Sequence, residues 1–312
     1  MIGQNTWSYP AYTPLLWERG ELYISRLAPG KDCIHLEWMP CGETAVYIGK
    51  AGENHFSLAG STTGCEYDIV GLETDTDYAI YVACGEKKSL VRLARTGETV
   101  GTVVNYLHPD DRYYAFSGNY LCSPSLLRLP DGGLLASMDL FGSGTPQNLT
   151  LIFRSDDDGQ TWHHLSELMP CFWGKLFLHK GDVYMLGCST EYGDLLIGRS
   201  TDGGKTFGAP VTLLRGSNGK SGHCGVHKNP QPVFRHKGRI YESLEWVPGQ
   251  IRNSATPQWS CPATKTPTCC SRKAGISPRP GNLTTLSPNW RPCPKQPRPS
   301  KALWCCPRRG SC

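Results

Sequence analysis

A nine-residue pattern occurs twice in this chain and constrains the fold more than any other feature of the sequence. Residues 154–162 read R-S-D-D-D-G-Q-T-W, and residues 199–207 read R-S-T-D-G-G-K-T-F. Both copies fit Ser-x-Asp-x-Gly-x-Thr-aromatic, and both follow a short apolar run, which is typical of a strand that enters a tight hairpin turn. We expect Ser and Asp to bond backbone amides of the turn, and Gly to supply a positive φ.

The residues at the shared positions of the two copies are therefore predicted to be structural. They are Ser155, Asp157, Gly159, Thr161 and Trp162 in the first copy, and Ser200, Asp202, Gly204, Thr206 and Phe207 in the second.

Three strand-turn-strand segments interleave with this pattern, at residues 124–137, 174–187 and 232–245. The first two are each followed by one copy of the pattern and its strands, giving four strands in about 45 residues, the content of one propeller blade. The pattern resembles the Asp-box of sialidases and related β-propellers. This resemblance implies a six-bladed type of propeller whose Asp-box turns lie outside, away from the ligand cleft.

Residues 20–97 read as a succession of short strands separated by Gly and Pro, which favours a β-sandwich. The strands are predicted at residues 21–25, 33–38, 45–48, 66–70, 78–83 and 90–93. The segment resembles a fibronectin type III module. The resemblance rests on the alternating run that ends in Trp38 and on residues 72–78, which look like the tyrosine corner of that family.

The sequence thus predicts an all-β chain in five parts. These are an N-terminal arm (1–19), a fibronectin type III-like sandwich (20–97), a linker (98–118), incomplete sialidase-like propeller blades (119–246) and a tail (247–312). The blade region holds two full blades and the start of a third, whereas a closed propeller needs at least about four.

Charge is divided unevenly along the chain. Residues 247–312 contain 11 of the 32 Lys and Arg and none of the 27 Asp and Glu, so residues 1–246 carry 21 basic and 27 acidic side chains, a net charge of −6. Residues 1–246, which we call the body, are mildly acidic, and this charge predicts neither a nucleic-acid partner nor a membrane partner. We expect a cytoplasmic protein, because no signal peptide is seen, with eight body cysteines as buried, reduced thiols.

The tail differs in composition from the body, with 12 of the 24 prolines and 7 of the 15 cysteines. One interpretation is a disordered, Pro-rich tail. Our preferred hypothesis is that the tail is translated out of frame. The shifted frame forces Gly after Trp246, and farther on it permits acidic, strand-like sequence resembling the next blade.

Resemblance to hydrolytic sialidases implies an Arg-Ile-Pro element on the first blade, whose Arg helps to bind the substrate carboxylate. A guanidinium suits this role because it is bidentate and permanently charged. Aligning Pro124 with the Pro of that element places Cys122 where the Arg is expected. A sialic acid substrate is therefore in conflict with this sequence.

Several polar residues lie at predicted blade edges and could carry chemistry. Glycoside hydrolysis needs two carboxylates, one protonated and one charged. Candidates for these roles are Asp139, Glu191, Asp194, Glu242 and Glu245, with solvated loop carboxylates as the alternative interpretation. His227 is a further candidate, as a proton-transferring group. No metal site and no cofactor are predicted, because Cys224-x-x-His227 has no second pair of ligands.

The sequence as a whole predicts an exo-acting, sialidase-like glycoside hydrolase with a carbohydrate ligand, in a chain expected to be truncated and inactive. Two alternatives remain open. A non-enzymatic glycan-binding propeller would bind sugar without turnover. A polysaccharide lyase acting on acidic glycans would depend on His and Tyr more than on a carboxylate pair, and would release an unsaturated, ultraviolet-absorbing product.

Overall fold

A computed structural model describes residues 22–216, 224–228 and 231–248. The described residues form β-strands, turns and loops, and the chain is all-β as predicted. The predicted N-terminal arm and all but two residues of the predicted tail lie outside the described residues, and so does the frameshift hypothesis. Within the described part, no helix is long and apolar enough to cross a bilayer.

The first module is a sandwich of two antiparallel sheets. Its strands are β1 (Ile24–Pro29), β2 (Cys33–Trp38), β3 (Thr44–Lys50), β4 (Ser57–Thr62), β5 (Glu66–Val70), β6 (Asp77–Cys84), β7 (Lys87–Lys88) and β8 (Arg92–Arg95). One sheet has the order β1-β2-β5, and the other has the order β4-β3-β6-β7, with β8 also paired to β6. The two sheets enclose one hydrophobic core.

The sandwich has the tyrosine corner that its sequence predicted. The backbone N–H of Glu73 donates to the Tyr78 hydroxyl at 3.0 Å, and Trp38 is buried in the core with Val46 and Ile80. The prediction of a fibronectin type III-like fold is confirmed. Two details of the prediction were wrong: β1 begins at Ile24 rather than at residue 21, and β4 was missed because it carries little apolar alternation.

Two four-stranded antiparallel sheets follow the sandwich. The first contains β9 (Tyr120–Arg128), β10 (Leu134–Phe141), β11 (Thr150–Ser155) and β12 (His163–Leu168), and the second contains β13 (Phe172–His179), β14 (Asp182–Cys188), β15 (Leu195–Ser200) and β16 (Val211–Leu214). Within each sheet the strands pair in sequence order. Leu135 and Ile152 of the first sheet share a buried core with Leu176 and Met185 of the second. This is the face-to-face arrangement of neighbouring propeller blades.

The described part of the chain also holds pieces of further sheet. β17 (Cys224–His227) pairs with β20 (Glu245–Pro248), and β18 (Phe234–His236) pairs with β19 (Arg239–Tyr241). Val226 of β17 and Ile240 of the third predicted hairpin pack with Phe177 and Tyr184 of the second sheet. The third predicted hairpin therefore lies against the second blade.

The two repeated turns are built by the same hydrogen bonds. In the first turn, Ser155 Oγ accepts the Gly159 N–H at 2.8 Å and donates to Asp157 at 2.8 Å, and Asp157 accepts from the Thr161 hydroxyl at 2.6 Å. The second turn has the equivalent three bonds, at 2.8, 2.8 and 2.5 Å. Gly159 and Gly204 have φ of 89° and 90°. The aromatic residues that end the patterns are 4% and 1% exposed.

Replacing Ser155 or Ser200 with alanine is expected to lower the free energy of unfolding by about 1–3 kcal/mol, because each change leaves the amide of Gly159 or Gly204 without its partner. Urea unfolding of the variants measures this loss. Thr99→Ala is the control, because the Thr99 hydroxyl is exposed and makes only a 3.4 Å contact within its own loop. Equal stability of S155A, S200A and T99A would contradict the prediction.

The cysteines are less uniformly buried than the sequence predicted. Cys171 and Cys188 are buried, but Cys41 and Cys65 are exposed, because they lie in loops at the ends of strands. None of the seven body cysteines for which the structure describes side chains forms a disulfide.

The sandwich contacts the first propeller sheet directly. The Tyr23 hydroxyl donates to Glu167 at 2.9 Å, and Glu37 accepts the backbone N–H of His164 at 2.9 Å. We call this contact between β1, β2 and β5 of the sandwich and β12 of the propeller sheet the module seam.

Candidate functional site

Both first strands of the propeller sheets contain a residue in the left-handed backbone region. Ser123 on β9 has φ of 51°, and Trp173 on β13 has φ of 53°. Each residue lies next to a register shift in its strand pair. A positive φ is costly for a bulky residue, and such bulges often occur beside ligand sites. Trp173, at the bulge of β13, is half-buried.

Two buried polar side chains hold the bulge of β13 in place. Asp139 accepts the N–H of Gly174 at 3.2 Å, and the Lys228 ammonium donates to the carbonyl of Trp173 at 3.0 Å. These are the two polar ends of a single peptide unit. A Cβ added at Gly174 would lie 2.9 Å from Met185 Sδ, so a larger residue here requires the buried Met185 side chain to shift. Asp139 and Lys228 therefore fix the conformation that presents Trp173.

Asp139 is fully buried, and its other oxygen accepts the Thr150 hydroxyl at 2.5 Å. Burial raises the pKa of Asp139 to about 7, although the hydrogen bonds from Thr150 and Gly174 act in the opposite direction. Cys122 lies nearby on β9, and burial raises the pKa of its thiol to about 11. Cys122 is consequently a neutral group at physiological pH.

Three rings form an aromatic group beside the bulge. The Trp173 ring packs edge-on against His227 with centroids 4.6 Å apart, and against Tyr192 at 6.1 Å. Tyr192 stacks on His227 at 5.9 Å. His227 Nδ1 lies 3.1 Å from the carboxylate of Glu245, which orients the imidazole. All three rings are half-buried, so one part of each remains available to a ligand.

Glu242 joins this group through Lys228. The Lys228 ammonium lies 3.6 Å from Glu242 Oε1, an ion-pair distance longer than a hydrogen bond. Burial raises the pKa of Glu242 above its ordinary value, and the positive charge of Lys228 opposes this shift. Burial and repulsion by Lys228 lower the pKa of Lys175. We call Trp173, Tyr192, His227, Glu242 and Glu245 the cleft site.

The remaining two candidate carboxylates lie at the margin of this group. Glu191 precedes Tyr192 and accepts from the Gln147 amide at 3.2 Å. Asp194 accepts from Arg215 at 2.7 Å and from the N–H of Gly216 at 2.8 Å, so both of its oxygens hold the loop after β16. Of the six candidate residues, the structure pairs His227 with Glu245 and places Glu242 next to Lys228. Asp139 is buried at the bulge of β13, Glu191 precedes Tyr192, and Asp194 holds the loop after β16.

Sequence analysis did not select Trp173, Tyr192 or Lys228 for this site. Trp173 lies in the apolar run of residues 171–178, which is indistinguishable in sequence from a buried strand. The useful signal was the adjacent Gly174, since a Gly inside a strand often marks a bulge.

The two carboxylates of the cleft site already pair with basic side chains, Glu245 with His227 and Glu242 with Lys228. Among the described residues, the group close enough to hold a metal lies instead at the module seam.

No protein-family model and no curated protein matches this sequence. Solved structures similar to it include the α-L-arabinanase of Penicillium chrysogenum complexed with arabinobiose, with 21% identity, TM-score 0.31, and coverage of 41% of each chain. The Hadza microbial sialidase Hz136 has 11% identity and TM-score 0.34, with 72% of this chain and 61% of the sialidase covered. The FN5 domain of Drosophila Lar has 20% identity and TM-score 0.22, with 25% of this chain and 97% of that domain covered.

This chain thus spans about two fifths of the arabinanase and three fifths of the sialidase. Such distant similarity does not transfer an activity, since one fold serves many functions. The sandwich and the propeller sheets are established by their own strand order and packing.

Proposed function

We propose that the cleft site processes glycans by hydrolysis, with Glu242 as the general acid and a second carboxylate, Glu245 or Glu191, as base or nucleophile. The observation that carries this proposal is the ion pair of Glu242 with Lys228, because the same ammonium donates to the carbonyl of Trp173 and burial raises the pKa of Glu242. Burial favours the protonated form of Glu242, and a carboxyl group in that form can donate a proton to a leaving oxygen.

The residues of the cleft site suit the successive parts of this reaction. The Trp173 ring offers an apolar face against which a sugar ring packs, as aromatic side chains with a polar edge do in many binding sites. Glu242 protonates the glycosidic oxygen, while the charged carboxylate stabilises or attacks the anomeric carbon. Asp139 and Lys228 act as positioning residues through the peptide unit between Trp173 and Gly174.

An exo-α-sialidase activity is the narrower form of this proposal. Cys122, at the position where the sialidase resemblance implies an Arg, carries a neutral thiol and cannot bind a carboxylate by charge. Neutral glycosides therefore belong in any substrate test beside sialosides.

We expect the Glu242→Gln variant to lose at least about 100-fold of any hydrolytic rate, because general acid catalysis contributes typically 10²–10⁴-fold. The full chain is incubated with a panel of fluorogenic sialosides, neutral glycosides and arabinofuranosides. The same panel is tested on a second protein, in which the residues after Trp246 are translated from the shifted reading frame. Glu53→Gln, an exposed change on the sandwich, is the matched control. Absence of turnover in both forms, or equal turnover by E242Q and E53Q, would contradict hydrolysis at this site.

A polysaccharide lyase is the second candidate, and the stacking of Tyr192 on a His227 that is oriented by Glu245 favours it. In this reaction His227 would remove the proton adjacent to a uronate carboxylate. The same panel, extended with uronate polysaccharides, separates the two: a lyase releases an ultraviolet-absorbing product that His227→Ala abolishes. Saturable sugar binding without any product would indicate a glycan-binding propeller instead.

A further inference from the structure

Four metal-binding side chains from two modules converge at the module seam. His35 and Glu37 lie on β2, Glu66 begins β5, and His163 begins β12 of the first propeller sheet. One ligand atom each from His35, Glu37 and Glu66 lie within 4.8 Å of one another. His163 Nδ1 lies 3.2 Å from Glu37 Oε1 and 3.7 Å from Glu66 Oε2. The group is thus shared between the sandwich and the propeller sheet.

Both ring nitrogens of His35 face carboxylates. Nδ1 lies 2.7 Å from Asp68 Oδ1, and Nε2 lies 3.3 Å from Glu37 Oε1. A neutral imidazole carries one N–H, and the short contact to Asp68 places it on Nδ1. Nε2 then faces a carboxylate oxygen, and either a second proton on Nε2 or a metal cation must lie between the two atoms. A carboxylate–histidine–metal arrangement has this form, with the carboxylate fixing the tautomer of the ligand.

Three of the six separations among the four ligand atoms are close to those of a tetrahedral transition-metal site. Zinc lies about 2.0–2.2 Å from nitrogen and oxygen ligands, so two ligand atoms of a tetrahedral site are about 3.3–3.6 Å apart. The distance from His35 Nε2 to Glu37 Oε1 is 3.3 Å. His163 Nδ1 lies 3.2 Å from Glu37 Oε1 and 3.7 Å from Glu66 Oε2. The ligand atoms of His35, Glu37 and Glu66 lie within 4.8 Å of one another, and His163 lies outside that group although it is close to Glu37 and Glu66. The half-exposed side chains of Glu66 and His163 must therefore move inward when the ion binds.

The surrounding charges leave room for a divalent cation. Glu37, Glu66 and Asp68 supply three negative charges, and Arg26, 3.0 Å from Glu37 Oε1, supplies one positive charge. Two negative charges remain, which a divalent ion neutralises. A carboxylate oxygen has two lone pairs, so Glu37 Oε1 can accept from Arg26 and still bind a metal, while its Oε2 accepts the His164 amide.

We propose that His35, Glu37, Glu66 and His163 bind a divalent transition-metal ion, best matched by Zn²⁺, which links the sandwich to the first propeller sheet. A cavity of about 220 Å³ lies beside the group, and Glu37, Glu66 and His163 line it. The cavity provides an entry path for the ion. The residues that bind the ion come from strands that are distant in sequence, so no short ligand motif marks the site.

The test measures Zn²⁺ binding to the full chain by isothermal titration at about pH 8, well above the ordinary histidine pKa of about 6.5. Wild type is expected to take up about one equivalent more than His163→Ala or Glu66→Gln. Both side chains are more than half exposed, so neither variant should impair folding. Asp68→Asn should retain the ligands but weaken binding by about 10–100-fold, as loss of a carboxylate that orients a ligand does. His55→Ala, an exposed histidine on the same module, is the matched control.

Cobalt(II) distinguishes this site from the cysteines elsewhere in the chain. The site should give visible d–d bands without thiolate charge-transfer absorption, and H163A should remove those bands while H55A retains them. Zn²⁺ should also raise the unfolding midpoint of wild type more than that of H163A, since binding to the folded state stabilises it. If wild type, H163A and E66Q bind equal amounts of Zn²⁺ with equal affinity, the histidines hold protons rather than metal, and the proposal is overturned.

Discussion

Replacing Asp111 with alanine is expected to lower the free energy of unfolding by about 3–5 kcal/mol, the usual cost of leaving a buried charge without its partner. Arg92 is fully buried, and its Nε donates to Asp111 at 2.7 Å. Without Asp111, the guanidinium keeps only carbonyl acceptors, at Ile24 and Tyr106, and two nearby aromatic rings. None of these neutralises its charge.

Asp111 also organises the backbone between the two modules. It accepts the N–H of Leu93 on β8 at 3.2 Å and the N–H of Tyr113 at 2.8 Å. Tyr113 packs in the same core as Leu151 and Trp162 of the first propeller sheet. Loss of Asp111 therefore weakens the connection between sandwich and propeller as well as the ion pair.

Urea unfolding, followed by tryptophan fluorescence and circular dichroism, measures the effect of D111A. We expect a lower midpoint and a separation of the two signals, since the modules no longer unfold together. Asp110→Ala is the matched control, because Asp110 is exposed and surface changes usually alter stability by less than about 0.5 kcal/mol. Equal destabilisation by D110A and D111A would contradict the role given to this ion pair.

Replacing Asp139 with asparagine is expected to change how stability depends on pH. The folded pKa of Asp139 is about 7, above its ordinary value of 3.8. A group with a raised folded pKa contributes stability that is fully present below the unfolded pKa and is lost as pH rises through the folded pKa. Wild type should therefore lose about 3 kcal/mol from this group between about pH 5 and pH 8.

The D139N variant resembles the protonated form and has no such dependence. The unfolding free energy of D139N minus that of wild type should rise by about 3 kcal/mol over this pH range, while contributions from other titrating groups cancel. Urea unfolding at both pH values gives this difference. A difference that does not change with pH would show that Asp139 is ionised in the folded protein.

The sequence predicted the elements that have strong local patterns. β2 and β5 were predicted with their observed bounds, because apolar residues alternate there and Gly or Pro occurs nearby. The repeated turns were predicted with the bonding roles of Ser155 and Asp157, because those bonds join residues only a few positions apart. β4 carries no comparable pattern, since it is an edge strand with two exposed residues at its start.

Contacts between distant segments could not be predicted from the sequence. The peptide unit between Trp173 and Gly174 is held by Asp139 and Lys228, which lie on either side of it in the chain. Asp139 follows an apolar strand and was therefore interpreted as a carboxylate at a blade edge. Its full burial arises from packing of the first sheet against the second, which no local pattern records.

The most direct test of the cleft site is the dissociation constant of the full chain for a glycan from the substrate panel, measured for wild type and for Trp173→Ala. We expect W173A to weaken binding at least about 10-fold, because the ring supplies the apolar face for the sugar. Phe56→Ala, which removes a ring that packs on Tyr81 of the sandwich, should bind as wild type does. Unchanged affinity in W173A, with the variant folded, would contradict the assignment of the glycan site to this cleft.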